Sequence, residues 1–134
     1  MHLGKQPLPD KVDSSDHKNL LLRHNVMDEE IQEFQHACWL RANARNLEEV
    51  NSSEAMMVDA LVDALYTIHG TALAMGVDLD PFWDAVHAAN MSKVDGSLGP
   101  LRVREDGKIL KPPGWRAPDI LALLKRIKEA QNGK

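Results

Sequence analysis

Acidic residues are concentrated in two short segments of the chain. The first has the sequence EEIQE at residues 29–33, and the second has the sequence DALVD at residues 59–63. Both lie in stretches with helical periodicity, where neighbouring carboxylates repel one another. A cation between the two helices would relieve this repulsion, and a set of oxygen ligands suits a hard divalent ion such as Mg²⁺. The pattern therefore predicts a helical, Mg²⁺-dependent enzyme that acts on a phosphate compound.

The spacing of the acids places each set on one side of its helix. Glu29 and Glu33 are four residues apart, Glu30 lies three residues before Glu33, and Asp59 and Asp63 are four apart. A solvent-exposed acidic surface is the alternative, and it describes most glutamate-rich helices. Against it, Asp63 lies in an otherwise apolar run over residues 60–66, where an acid facing solvent is less expected. Spacing alone leaves both interpretations open.

Composition limits the classes of protein to consider. The chain has 134 residues, of which 43% are hydrophobic and only 4% aromatic, which favours a single domain of packed helices. A net charge of −4 argues against a general nucleic-acid-binding protein. Cys38 is the single cysteine, no segment approaches the ~20 apolar residues that span a bilayer, and the first nine residues lack the apolar run of a signal peptide. We therefore expect a cytoplasmic protein without nucleic-acid or membrane partners.

Apolar periodicity predicts an all-α fold that forms one domain over residues 1–134. Helices are expected from about residue 16 to 44, from Ser52 or Ser53 to about 75, from Asp80-Pro81 to 92, and from Pro118-Asp119 to about 130. Residues 1–15 are expected to be an irregular arm, and residues 43–51 a loop. Residues 94–116 form a basic loop that is rich in glycine and proline, in which Asp106-Gly107 favours a small hairpin.

Several ordered segments resemble the all-α NTP pyrophosphatase superfamily, which includes the MazG-like nucleotide pyrophosphohydrolases. Residues 29–33 match its Glu-Glu-x-x-Glu motif, and Asp63 matches the last acid of the motif on the next helix. The segments HAANMSK at residues 87–93 and DGKILKPPGW at residues 106–115 are similar to two further family segments. The resemblance covers roughly residues 20–120, and the ordered set is far more specific than any one motif.

The resemblance implies hydrolysis of a (deoxy)nucleoside triphosphate to the monophosphate and pyrophosphate by a metal-activated water, with Mg²⁺ as cofactor and Mn²⁺ as a substitute. It implies that the catalytic residues are Glu29, Glu30, Glu33 and Asp63, of which Glu30, Glu33 and Asp63 are metal ligands and Glu29 orients the attacking water or holds a further ion. Asp59 is expected to complete the set of metal ligands. Phosphate chemistry and the matching segments together indicate that the substrate-binding residues are Asn90, Lys93, Lys108 and Lys111. One position departs from the family, because Ala60 stands where a glutamate is usual. Asp59 is the expected substitute.

Other functions stay open from the sequence. Among enzymes, the alternative is a dUTP-specific or phosphoribosyl-ATP pyrophosphohydrolase. Outside enzymes, it is a helical dimerisation or interaction module with an acidic stripe. The apolar faces of the core helices exceed what one short domain covers, so we expect a bundle completed by dimerisation. The resemblance likewise implies a homodimer or dimer of dimers, with active sites near the subunit boundary. It also places Trp115 in a matching loop, which we expect this residue to anchor.

Overall fold

The computed structural model describes residues 2–3 and 6–133, which form an all-α fold. Its helices are α1 (His17–Ala42), α2 (Leu47–Ala74), α3 (Asp80–Met91) and α4 (Ile120–Asn132). Two strands of two residues each, β1 (His2–Leu3) and β2 (Gln6–Pro7), pair antiparallel in the N-terminal arm. The prediction of an all-α fold is therefore confirmed. No helix in the part of the chain that the structure describes is long and apolar enough to span a membrane.

The start of α2 differs from the prediction, because residues 47–51 are helical rather than a loop. The Asn46 side chain accepts a hydrogen bond from the Glu49 backbone N–H at 2.9 Å, and the Glu49 carboxylate accepts one from the Arg45 N–H at 2.7 Å. This nearly reciprocal pair satisfies backbone donors that a helix start leaves free. The Ser53 hydroxyl donates to two backbone carbonyls inside the helix. Ser53 is therefore an interior residue and not the cap.

The chain divides into two compact units, Met1–Val77 and Asp78–Lys134. In the first unit α1 packs against α2, and small residues lie where the helices meet. The side chains of Ala37 and Ala60 are 0% and 2% exposed. The helices are antiparallel, because Arg41 pairs with Glu54 at 3.2 Å while acids earlier in α1 lie beside an acid later in α2. Close approach at small residues is what lets short carboxylate side chains on both helices meet.

The N-terminal arm is attached to the end of α2. The Asp13 backbone N–H donates to the Met75 carbonyl at 2.9 Å. Gly76 follows with φ of 67°, and a Cβ at this position would overlap the backbone oxygen of Lys11. Glycine is thus required both for the left-handed turn that ends the helix and for the close approach of the arm.

In the second unit α3 packs against α4, and a long loop connects them. As predicted, a proline lies in the first turn of α3, although no side chain caps this helix. The last helix begins at Ile120, just after the predicted start, and Asp119 caps it by accepting a hydrogen bond from the Ala122 N–H at 2.9 Å. Within the loop, Val103 and Ile109 form an isolated antiparallel bridge, and Gly107 has φ of 88° between them. The loop therefore contains one tight turn of the kind that the Asp-Gly pair favours.

Candidate active site

Three of the predicted carboxylates meet between α1 and α2. Glu30, Glu33 and Asp63 each offer an oxygen, and these oxygens all lie within 4.8 Å of one another. Glu30 and Glu33 share one side of α1 because they are three residues apart. Asp63 reaches them because α2 is held close at the buried Ala60, about one turn earlier. We call Glu30, Glu33 and Asp63 the carboxylate cluster.

The environment of Glu30 disfavours its negative charge. The pKa of its carboxyl is raised above the ordinary value of 4.5, chiefly because the group is partly removed from water, and then because Glu33 and Asp63 repel its charge. Its Oε2 atom is buried without a hydrogen-bond partner among the described residues. A buried carboxylate oxygen without a partner, next to two other acids, is a favourable ligand for a divalent cation. The donor atoms present therefore fit a hard metal ion.

A groove of about 580 Å³ lies beside the carboxylate cluster on the same two helices. Its lining residues are Glu29, Gln32, Glu33, His36, Met56 and Asp59. Glu33 belongs to both the cluster and the groove. The volume falls within the range of small-molecule sites in proteins. The groove can therefore receive part of a ligand whose charged end lies at the cluster.

The structure places two predicted site residues outside the cluster. Glu29 and Asp59 line the groove and are not among the three residues whose oxygens converge. Asp59 is exposed, yet it lies near enough for its charge to contribute to the raised pKa of Glu30. Ala60, in contrast, is buried in the contact between the helices. That Asp59 takes the place of the glutamate absent at position 60 stays a prediction.

In the second unit, three of the four predicted substrate-binding residues gather around Trp115. The Nζ atoms of Lys93 and Lys111 lie 4.7 and 4.9 Å from the centre of the Trp115 ring. Lys93 also donates to Asn90 Oδ1 at 3.0 Å. The Trp115 indole N–H donates to the Ala89 carbonyl at 2.7 Å, which confirms that Trp115 anchors the loop. We call Asn90, Lys93, Lys111 and Trp115 the tryptophan–lysine cluster.

The tryptophan–lysine cluster holds two ammonium groups close to one aromatic ring. Each such contact stabilises a cation by about 0.5–1 kcal/mol at an exposed site, which offsets the repulsion between the two charges. Lys108, the fourth predicted residue, lies in the tight turn of the loop. There its backbone N–H donates to Asp106 at 3.2 Å, and Asp106 also pairs with Arg104. The structure therefore does not bring Lys108 into the cluster.

Part of the groove lining was not predicted from the sequence. Gln32 and His36 lie on the same side of α1 as the acids, and Met56 faces them from α2. The available signal was helical spacing, since His36 follows Glu33 by three residues. The His36 ring stacks on Trp39, with ring centres 6.4 Å apart and planes 11° from parallel. An imidazole on this wall can donate to a phosphate oxygen.

The all-α fold, with acids converging from two packed helices, defines an all-α nucleotide pyrophosphohydrolase-like protein of the MazG-like superfamily, as the sequence resemblance implies. Residues 2–90 match the profile of the phosphoribosyl-ATP pyrophosphohydrolase family, and the chain belongs to this family. Membership indicates a pyrophosphohydrolase, which is a hydrolase of phosphoric anhydrides. A comparison with curated proteins found no match. The family match contains the whole carboxylate cluster and ends at Asn90, before the lysines of the second cluster.

Proposed function

We propose that the protein is a Mg²⁺-dependent pyrophosphohydrolase of (deoxy)nucleoside triphosphates, which releases the monophosphate and pyrophosphate. The observation that carries this proposal is the carboxylate cluster with the unpaired buried Oε2 of Glu30, in a chain of this family. Glu30, Glu33 and Asp63 would hold Mg²⁺, or Mn²⁺ in its place, and Asp59 would complete the set of ligands. When bound, the ion would neutralise phosphate charge and lower the pKa of a coordinated water.

The groove residues then have distinct roles in the proposed reaction. Glu29 orients the attacking water and accepts its proton, since its carboxylate lines the groove beside Glu33. Water adds across the anhydride bond between the α and β phosphates, and the pyrophosphate leaves with the bridging oxygen. Gln32 and His36 offer donors to phosphate oxygens from the same wall. The groove walls thus position the phosphate chain, and the cation that the carboxylate cluster would hold would neutralise its charge.

A homodimer, or a dimer of such dimers, is part of this proposal. The first unit leaves large apolar side chains exposed, among them Trp39 at 61%, Leu65 at 56% and Tyr66 at 75%. Apolar patches of this kind are rarely left in water and are usually covered in symmetric assemblies. We propose that the tryptophan–lysine cluster and Lys108 of one subunit bind the phosphate chain held by the carboxylate cluster of the other. Lysine ammonium groups are suitable partners for phosphate oxygens.

A mixing experiment tests the shared site. A Glu33→Gln subunit and a Lys93→Ala, Lys111→Ala subunit should each be nearly inactive alone, and their mixture should regain activity, because one of the two sites in a hybrid dimer is intact. Two portions of the same variant, mixed in the same way, are the control. A fully active monomer in light scattering at assay concentration would contradict the shared site.

Phosphoribosyl-ATP is the second candidate substrate, and the family match supports it equally. This compound carries an additional ribosyl phosphate on its base, so it presents negative charge at both ends. A dUTP-specific enzyme is a further alternative, because selectivity for a base depends on the shape of the pocket. All three readings use the same metal ligands and differ only in the groups that contact the distal part of the substrate.

A substrate panel distinguishes these readings. Common NTPs and dNTPs, including dUTP, and phosphoribosyl-ATP are each incubated with Mg²⁺, and release of pyrophosphate is measured against release of orthophosphate. Glu33→Gln should abolish turnover of the preferred substrate, and Glu129→Gln, which changes an exposed acid on α4, should not. Tight Mg²⁺ binding without turnover of any nucleotide would instead support the helical interaction module.

A further inference from the structure

Three side-chain polar atoms of the described residues are buried without a hydrogen-bond partner, and all three lie on α1. They are Asn19 Oδ1, Arg23 Nε and Glu30 Oε2. The residues are four and seven positions apart, close to one and two full helical turns, so they lie along one strip of the helix. Ala37, seven positions further on, continues the strip and is 0% exposed. Because α1 packs against α2, this strip faces α2.

Arg23 has no counter-ion on this strip. No ion pair joins Arg23 to a carboxylate within residues 2–3 and 6–133. The antiparallel helices place Glu30 beside Asp63, so Arg23, about two turns before Glu30, faces α2 about two turns after Asp63, near Gly70. Residues 64–77 contain neither aspartate nor glutamate, and the buried Gly70 has no side chain to pair with it.

A buried guanidinium nitrogen without a hydrogen-bond partner at a helix contact is unfavourable, and Arg23 Nε is such an atom. Removing a charge from water is costly unless an opposite charge or several acceptors replace the water. The carboxylate cluster two turns away lacks a positive partner instead, because Glu30 Oε2 is buried beside other acids. A ligand with an anionic group at one end and a bound cation at the other would satisfy both.

We propose that Arg23 binds a phosphate group of the nucleotide whose metal-bound phosphates lie at the carboxylate cluster. This inference rests on the proposed function. It gives a role to Arg23, which takes no part in the proposed metal site or in the proposed lysine contacts with phosphate. Seven helical residues separate the Cα atoms of Arg23 and Glu30 by about 10.5 Å along the axis, so that one elongated nucleotide ligand can contact both residues. The guanidinium fork pairs with two oxygens of one phosphate. Arg23 is therefore the α1 residue that provides positive charge for this phosphate group.

The test uses inorganic pyrophosphate as the probe, titrated calorimetrically into the full-length protein with Mg²⁺ present. Arg23→Gln should weaken pyrophosphate binding at least tenfold. Arg23→Lys should recover part of the affinity, because it keeps the charge and loses the fork. Arg41→Gln is the matched control on the same helix; it breaks an exposed ion pair with Glu54 and should bind pyrophosphate as the wild type does. The rise in melting temperature with Mg²⁺ should persist in both Arg23 variants, since the carboxylate cluster is intact.

The outcomes separate this inference from the proposed function. Arg23-dependent binding of pyrophosphate without hydrolysis of any nucleotide would support the phosphate site and overturn the proposed function. If nucleotide hydrolysis and pyrophosphate binding are both unchanged in Arg23→Gln, the proposed function is supported and the phosphate site at Arg23 is overturned. A wild-type protein that does not bind pyrophosphate would overturn the inference. So would an affinity loss that follows dissociation of the oligomer in light scattering, because Arg23 would then pair with a partner subunit's carboxylate. Arg23→Lys provides the same readouts if Arg23→Gln does not fold.

Discussion

The carboxylate cluster and the tryptophan–lysine cluster both hold like charges close together, but they compensate the repulsion differently. In the carboxylate cluster, acids from two packed helices meet, the pKa of Glu30 is raised, and one of its oxygens has no partner. In the tryptophan–lysine cluster, the Trp115 ring and the Asn90 amide oxygen stabilise the lysine ammonium groups within the protein itself. Among the described residues, the repulsion in the first cluster thus stays uncompensated, whereas the second cluster is held together by contacts within the protein.

The largest expected effect is that of Glu33→Gln, because Glu33 belongs to both the carboxylate cluster and the groove. We expect at least a 100-fold loss of pyrophosphohydrolase activity, ~2.7 kcal/mol of transition-state stabilisation. The rise in melting temperature with Mg²⁺ should disappear as well, because binding to the folded state is what raises it. Glu129→Gln on α4 should keep both properties. Wild-type turnover by Glu33→Gln would show that the cluster is not the catalytic metal site.

A smaller effect is expected for Asp59→Asn, which tests whether the groove contributes to the metal site. If Asp59 completes the set of ligands, activity should fall at least tenfold, ~1.4 kcal/mol. Unchanged activity would make Asp59 a surface acid. Moving the acid to position 60 is a poor rescue, because Ala60 is 2% exposed and a larger side chain would overpack the helix contact. A fall in melting temperature of Ala60→Glu without metal would confirm that this contact has no room.

The contrast between the clusters also explains how much the sequence predicts. Helical spacing places Glu30 and Glu33 on one side of α1, while the apolar run around Asp63 and the family resemblance indicate that residue, so all three could be predicted before any tertiary contact was known. Spacing could not tell which acids converge in the carboxylate cluster and which line the groove, because this depends on how closely α2 packs at Ala60.

The loop cluster was predicted by a different route and less completely. Its residues came from motif resemblance and phosphate chemistry, which do not specify loop conformation, so Lys108 was grouped with residues from which it is separate. The start of α2 was wrong because Asn46 and Glu49 satisfy the helix start locally in a segment that composition alone indicates to be a loop. No role for Arg23 could be predicted from the sequence, since an unpaired Nε is recognised only once the packing is known.

Trp115→Ala should have a moderate effect that is confined to the tryptophan–lysine cluster. Without the ring, Lys93 and Lys111 lose the surface that holds them together, and the loop loses its hydrogen bond to Ala89. We expect roughly a fivefold fall in kcat/KM, about 1 kcal/mol, mainly through a higher KM. Trp115→Phe should lie between, because it keeps a ring and loses the indole N–H.

The readout that distinguishes this role from a general loss of stability is Mg²⁺ binding, which should be unchanged in Trp115→Ala. Trp83→Ala is the matched control, since Trp83 is an exposed tryptophan on α3 that stacks on His87. A loss of Mg²⁺ binding in Trp115→Ala would mean that the two clusters are not independent before the substrate binds. Equal effects of the two tryptophan changes would remove the case for a specific role of Trp115.

The smallest effect concerns stability and pH at Glu30. Because the pKa of Glu30 is raised in the folded protein, its ionisation opposes folding. The stability associated with its neutral form is present below about pH 4.5, the ordinary value, and is lost as the pH rises through the folded-state pKa. Without metal, Glu30→Gln should therefore melt a few degrees higher than the wild type at pH 7.5, and this advantage should vanish at pH 4.

Mg²⁺ should reverse the order, because the ion replaces the missing partner of Glu30 Oε2 and stabilises the wild type more than the glutamine variant. Melting curves at pH 4 and 7.5, each with a chelator and with Mg²⁺, measure all four states of both proteins. Glu129→Gln should show neither the pH-dependent advantage nor the reversal. A glutamine variant that is less stable than the wild type at pH 7.5 without metal would mean that the charge of Glu30 is compensated within the protein. The carboxylate cluster would then resemble the tryptophan–lysine cluster in needing no ligand.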